Sequence, residues 1–127
     1  DVKEFRKRFH FGINNKPVII TYFHALDDCN RHISYSPDEF VKMEKESYKS
    51  LSKYTLVYKF YWKDVGVKNL IKTLKWFKDE DEWISSKFFQ YHFPCGSYVV
   101  VDFEGNYRGY LGEYMNSQIV EDYNKLK

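Results

Sequence analysis

The chain of 127 residues carries 20 Lys and Arg against 18 Asp and Glu, is 43% hydrophobic and 20% aromatic, and has a net charge of +2. That length can bury a core without a structural metal, the aromatic content excludes disorder for most of the chain, and interleaved charges of near-equal number give nucleic acid no electrostatic footing. No apolar run reaches the roughly 20 residues that span a bilayer, and two cysteines are too few for a disulfide-dependent secreted scaffold.

One domain over residues 1–127 is the expectation. Val2, Phe5 and Phe9 recur at helical spacing, so a short amphipathic helix is expected from Asp1 to Phe11, ending at Gly12. Asn14-Asn15-Lys16-Pro17 reads as a turn. Val18 to His24 is near-continuously apolar and β-branched, the pattern of a central strand covered on both faces. An acidic turn then leads to Cys29, and a helical reading runs on to about Lys53. Pro37 either kinks one long helix or opens a fresh one, with Ser36 as cap and Glu39 completing a capping box.

Thr55 to Trp62 alternates, with Leu56, Tyr58, Phe60 and Trp62 on one face and Val57, Lys59 and Tyr61 on the other, which predicts a second strand. Val67, Leu70, Ile71, Leu74 and Phe77 form a helical stripe that ends in the charged run Lys78 to Glu82. An aromatic stretch from Trp83 to Phe93 includes a short helix. Ser97 to Phe103 and Tyr107 to Tyr110 flank Glu104-Gly105-Asn106, a hairpin signal. Asn116 is expected to cap a last helix carrying Ile119, Val120, Tyr123 and Leu126.

Cys29 is the residue best placed for chemistry. A strand that delivers a cysteine to a helix N-terminus favours the thiolate, because unpaired N–H groups and the positive end of the helix face the sulfur. Asp28 opposes that effect, and His32 offsets Asp28 when protonated. Asp27 and Asp28 read as solvated turn residues, and His24 as a strand-end residue that hydrogen-bonds locally. The rings of Tyr58 to Trp62 belong to core faces by their alternation, which removes a base-stacking reading.

The order αβαβα, an aromatic insert, then ββα resembles the thioredoxin fold. In that family a strand ends in Cys-x-x-Cys at a helix start, a proline eight residues beyond the first cysteine kinks the helix, and a hairpin and final helix close the domain. Here Cys29 stands at the first cysteine, His32 at the second, and Pro37 eight residues beyond Cys29. Val99-Val100-Val101-Asp102 with Glu104-Gly105-Asn106 resembles the late hairpin, and Gly112 the small residue after it. Locally, Lys16-Pro17-Val18-Ile19-Ile20 with His24-Ala25-Leu26-Asp27-Asp28-Cys29 is similar to the disulfide-isomerase-like anterior gradient proteins, which carry a single active-site cysteine.

The resemblance implies an α/β fold with a central mixed sheet of about four strands, flanked by helices, with an insertion before the cis-proline loop. It implies a site in which Cys29 is the nucleophile, His32 tunes it, and the loop Phe93, Pro94, Cys95, Gly96 presents substrate backbone. Counting back from Gly105 places Gly96 at the cis-proline position, and matching the proline selects Pro94; both remain open. The family's buried strand acid is replaced by Tyr22 or Phe23. Because that loop faces the active-site cysteine, Cys95 is either the second half of a non-local dithiol pair or a small buried apolar residue, the commoner fate of a lone cysteine.

His32 cannot attack a mixed disulfide, so ordinary thioredoxin turnover is not expected. The leading expectation is a degenerate thioredoxin-like protein whose single-cysteine site forms mixed disulfides with protein substrates, released by external thiol or through Cys95. The alternative is a redox-inactive interaction module with a partner protein. A third reading has Cys29, His32, Cys95 and His92 or His24 holding copper or zinc. No cofactor is expected. Asp1 in place of an initiator methionine suggests that a targeting segment has been removed, which fits the secretory pathway or another compartment outside the cytosol.

Overall fold

The computed structural model describes residues 2–11, 13–31, 37–91, 95–112 and 114–127. Val18–Phe23 forms β1, and all of its residues are buried. That is what a continuous apolar, β-branched run requires when neither face meets water. β1 pairs in parallel with β2 (Val57–Tyr61) and antiparallel with β4 (Ser97–Val101). β3 (Phe77–Lys78) adds in parallel beyond β2, and β5 (Tyr107–Leu111) antiparallel beyond β4, giving a five-stranded mixed sheet in the order β3-β2-β1-β4-β5. Helices α1 (Val2–Arg8), α2 (Pro37–Ser52), α3 (Lys68–Leu74), α4 (Trp83–Phe88) and α5 (Asn116–Leu126) flank it.

The sheet therefore has one strand more than the four expected. The extra strand contains Phe77, which the sequence pattern placed on a helical stripe. α3 stops earlier, because Lys75 adopts a left-handed conformation at φ 57° while its N–H still bonds to the Ile71 carbonyl. The chain leaves the helix there and lies along the edge of β2, where the Asp79 N–H donates to the Tyr61 carbonyl at 3.0 Å. Phe77 is left 52% exposed on that edge, so its hydrophobicity was no guide to burial.

Alternation divides the strands between two faces. On one, Val18, Ile20 and Tyr22 meet Phe5 of α1, Phe9 just after it, Ile84 of α4, and Phe89. The rings of Phe5 and Phe9 stack at 4.6 Å, as their helical spacing anticipates. Tyr58 and Phe60 of β2 pack against this core, while Val57 and Tyr61 face the other side. There Ile19, Leu51, Tyr98, Val100, Ile119 and Tyr123 form one cluster, and Phe23, Val67, Leu70 and Trp76 another.

The hairpin reading of Glu104-Gly105-Asn106 holds: one Asp102 carboxylate oxygen accepts the N–H groups of Glu104 and Asn106, and Gly105 takes φ 91°. α2 opens at Pro37, as a fresh helix does when proline supplies the first turn; Ser36 lies outside the described residues. Asn116 is not the cap of α5. Met115 precedes the helix in an extended conformation and its N–H donates to Gln118 Oε1 at 2.9 Å. The Asn116 side chain instead accepts the Ser47 hydroxyl at 3.1 Å, tying α5 to α2.

Candidate functional site

Because β1 and β4 run antiparallel with Tyr22 opposite Ser97, the chain leaving β1 and the chain entering β4 lie at the same end of the sheet's strands. Cys29 and Cys95 meet there in a disulfide, with their Cα atoms 5.4 Å apart across a sequence separation of 66. The single-cysteine site is thus corrected. The second sulfur comes from the loop before β4, not from the position three residues after Cys29, because strand pairing closes a gap that local spacing cannot. Cys95 is also not the inert apolar residue that one reading made it.

Asp28 to Asn30 form a turn that leads into a 3-10 turn at Arg31, whose N–H bonds back to the Asp27 carbonyl at 3.0 Å, and α2 begins at Pro37; residues 32–36, on which the expected helix start at Cys29 depends, lie outside the described residues. Asp27 organises the turn. Its Oδ1 accepts the N–H groups of Cys29 and Asn30 at 2.9 and 3.0 Å. Asn30 Oδ1 accepts the Asp27 N–H in return at 2.8 Å, and Asn30 Nδ2 donates to the Ala25 carbonyl. The other Asp27 oxygen, Oδ2, accepts the Cys95 N–H at 3.3 Å.

One carboxylate therefore holds the main chain on both sides of the disulfide. The N–H groups that a helix terminus would offer to a thiolate are spent on an anion, and negative charge next to a sulfur disfavours its ionisation. Asp28 stays fully exposed, 4.0 Å from Arg31.

The backbone on the Cys95 side is tightly specified. Cys95 has φ 65° and Gly96 φ 92°. A Cβ on Gly96 would stand 2.6 Å from the Tyr22 carbonyl oxygen, so only glycine permits this approach of the loop to β1. Gly96 is buried and its carbonyl accepts the Gly112 N–H at 3.1 Å.

Behind the disulfide, the Tyr22 hydroxyl donates to Asp79 Oδ2 at 2.6 Å. Asp79 is 5% exposed and also accepts the N–H groups of Ile84 and Ser85, at 2.8 and 3.0 Å. Burial first, and then the bond to Asp79, push the Tyr22 phenol well above its ordinary range. The buried carboxylate of this region therefore comes from the charged run before α4. His24 is a core residue, its ring 4.5 Å from that of Tyr22 and 6.4 Å from Phe89.

Of the other expected site residues, His32, Phe93 and Pro94 lie outside the described residues, as does His92. Among the described residues no group of three or more His, Cys, Asp or Glu side chains converges to hold a metal ion. Asp27, Asn30 and Asp79 were not singled out as site residues. The Asx-type spacing of Asp27 before Cys29 was a visible signal for the first. Nothing local marks Asp79 as inward-facing.

No protein-family model and no curated sequence matches the chain. Solved structures do match its fold. MTB DsbF, in mixed oxidised and reduced forms, has a TM-score of 0.60 at 12% identity over 89% of this chain and 82% of that one. The exposed lipoprotein thioredoxin Etrx1 of Streptococcus pneumoniae has 0.57 at 15% over 88% and 86%. A secreted Mycobacterium tuberculosis disulfide oxidoreductase homologous to E. coli DsbE has 0.52 at 9% over 88% and 83%. With these likenesses the α/β architecture is a thioredoxin-like fold.

Proposed function

We propose that this chain exchanges disulfides with protein substrates, using Cys29 and Cys95 as its redox couple. The observation that carries the reading is the meeting of the chain's two cysteines at one end of the central strands, from positions 66 apart in sequence. The three structural neighbours, one described as a thioredoxin, one as a disulfide oxidoreductase and one in mixed oxidised and reduced forms, support the same reading. Two of them are described as secreted or exposed, which supports a compartment outside the cytosol.

In the reducing direction, the Cys29 thiolate attacks one sulfur of a substrate disulfide, and the other substrate sulfur leaves as a thiolate. The Cys95 thiolate then attacks Cys29 Sγ, the second substrate sulfur leaves, and the Cys29–Cys95 disulfide forms as two electrons pass to the substrate. His32 is the proposed support for the Cys29 thiolate, and the Phe93, Pro94 and Gly96 loop the proposed rest for substrate backbone. Reduced Cys95→Ser should accumulate a mixed disulfide with a disulfide-containing peptide, and Cys29→Ser should not. Equal rates of peptide reduction by the reduced wild type and Cys29→Ser would overturn the reading.

A second reading rests on Asp27. A carboxylate bonded to the N–H groups of both cysteines suits a permanent staple in a partner-binding module, because it favours the closed disulfide over a free thiolate. A structural staple would leave the wild type fully oxidised in glutathione buffers that reduce an exchanging couple.

A further inference from the structure

The outer side of β2 is only partly covered. The Leu56 carbonyl accepts the Ile19 N–H and the Trp62 N–H donates to the Phe23 carbonyl, so along β2 the even-numbered residues turn their main chain toward β1. Alternation turns Val57, Lys59 and Tyr61 the other way. The Asp79 N–H, which bonds to the Tyr61 carbonyl from that side, agrees. Yet β3 is two residues long and meets β2 only at Phe60 and Tyr61, because Lys75 in its left-handed conformation has just turned the chain out of α3. Among the described residues, no strand lies beside the outward N–H and carbonyl of Val57.

This gap opens on a cavity of about 950 Å³ beneath α2, which Leu56, Val57, Tyr58 and Phe77 help to line. Leu56 and Phe77 are 39% and 52% exposed there. On the opposite face of the sheet the Phe77 ring lies 6.1 Å from Tyr58 and 5.7 Å from Phe60, so apolar surface flanks the gap on both faces. Glu44 and Lys59 both line the cavity and offset one another's charge, so the site calls for no charged side chain. Main-chain groups at strand spacing are complementary to another main chain, and apolar surface on both faces suits alternating side chains that are uncharged on both. A segment of that kind is buried in a folded protein and accessible in an unfolded one.

We propose that this edge takes an extended, uncharged segment of an unfolded polypeptide, which prolongs β3 along Val57 and sends alternate side chains into the cavity and onto Tyr58 and Phe77. Cys95 lines the same cavity, which makes the groove continuous with the disulfide. The binding itself does not depend on disulfide exchange, and it is tested with the disulfide intact.

The test is calorimetric titration of the oxidised protein with an acetylated and amidated hexapeptide of alternating valine and threonine. Saturable binding of one peptide per chain is expected, weakened about tenfold when every peptide nitrogen is methylated, which keeps the side chains and removes the main-chain donors. Amide hydrogen exchange read by NMR locates the site. At saturating peptide the Val57 amide should exchange about tenfold more slowly, while the Tyr58 amide, which faces β1, stays protected with or without peptide. No saturable binding, equal affinity for the methylated peptide, or unchanged exchange at Val57 would each overturn the proposal. So would a protected Val57 amide in the free protein together with a dimer in sedimentation, which would make a second copy of the chain the occupant.

Discussion

Reduction of the Cys29–Cys95 disulfide is the most informative perturbation. The bond closes a loop with a sequence separation of 66. On the chain-entropy relation, a loop of that size stabilises the folded state by about 4 kcal/mol at 25 °C, through the freedom it removes from the unfolded chain. A protein whose site favours the dithiol can reverse this sign. Here the groups that would do so are engaged, since the N–H groups of Cys29 and Asn30 bond to Asp27. Oxidised protein should therefore resist urea by about 4 kcal/mol more than reduced protein. By the thermodynamic cycle, folding should strengthen the disulfide by the same amount. That is about three orders of magnitude in the glutathione equilibrium constant, or about 90 mV for the two-electron couple, relative to the unfolded chain.

Two assays check one another. Urea unfolding followed by tryptophan fluorescence, with and without dithiothreitol, yields the stability difference, with the Cys29→Ser/Cys95→Ser double variant as a control for the reduced state. Glutathione equilibration in native buffer and in urea, quenched by alkylation and read by mass spectrometry, yields the redox difference. A reduced form as stable as the oxidised one, or more stable, would refute the reasoning from Asp27 and make the site an oxidant.

Four further outcomes are expected. Asp27→Ala removes the acceptor shared by the Cys29, Asn30 and Cys95 N–H groups, and should cost about 2 kcal/mol in urea unfolding. It should also lower the glutathione equilibrium constant about tenfold, with Asp27→Asn recovering only part of the loss, because its one amide oxygen replaces one of the two accepting oxygens and its amide nitrogen cannot accept. Tyr22→Phe strips a buried hydrogen bond from Asp79 and should cost about 2 kcal/mol; an unchanged urea midpoint would contradict the pairing. The Tyr22 and Tyr98 phenols are both raised in the folded state, chiefly by burial. Their contribution is therefore intact below the unfolded tyrosine value of about 10 and lost as pH rises beyond it, so the urea midpoint should fall above pH ~10. Gly96→Ala should destabilise by about 2 kcal/mol or more, because a Cβ at φ 92° meets the Tyr22 carbonyl.

The sequence by itself determined the elements whose signal is local and periodic. The unbroken apolar run of Val18 to Phe23 can be satisfied only by a strand covered on both faces, and it is the centre of the sheet. The two-residue period of Val57 to Tyr61 sorted side chains correctly between the faces, and the Asp102 to Asn106 turn was legible because its hydrogen bonds span at most four residues.

What only the tertiary structure decided depends on which distant segments lie side by side. Phe77 continues a helical pattern on paper and becomes an edge strand because β2 offers it unpaired main-chain groups. Asp79 belongs to a charged run and turns inward because Tyr22 and the start of α4 supply its partners. Lys59 alternates like any strand residue, and its place in a cavity with Glu44 and Trp76 appears only when α2 bridges the space above it. Above all, of the two readings left open for Cys95, the non-local pair with Cys29 is the one realised, because the antiparallel pairing of β1 with β4 sets the distance between them, and no spacing along the chain encodes a distance across a sheet.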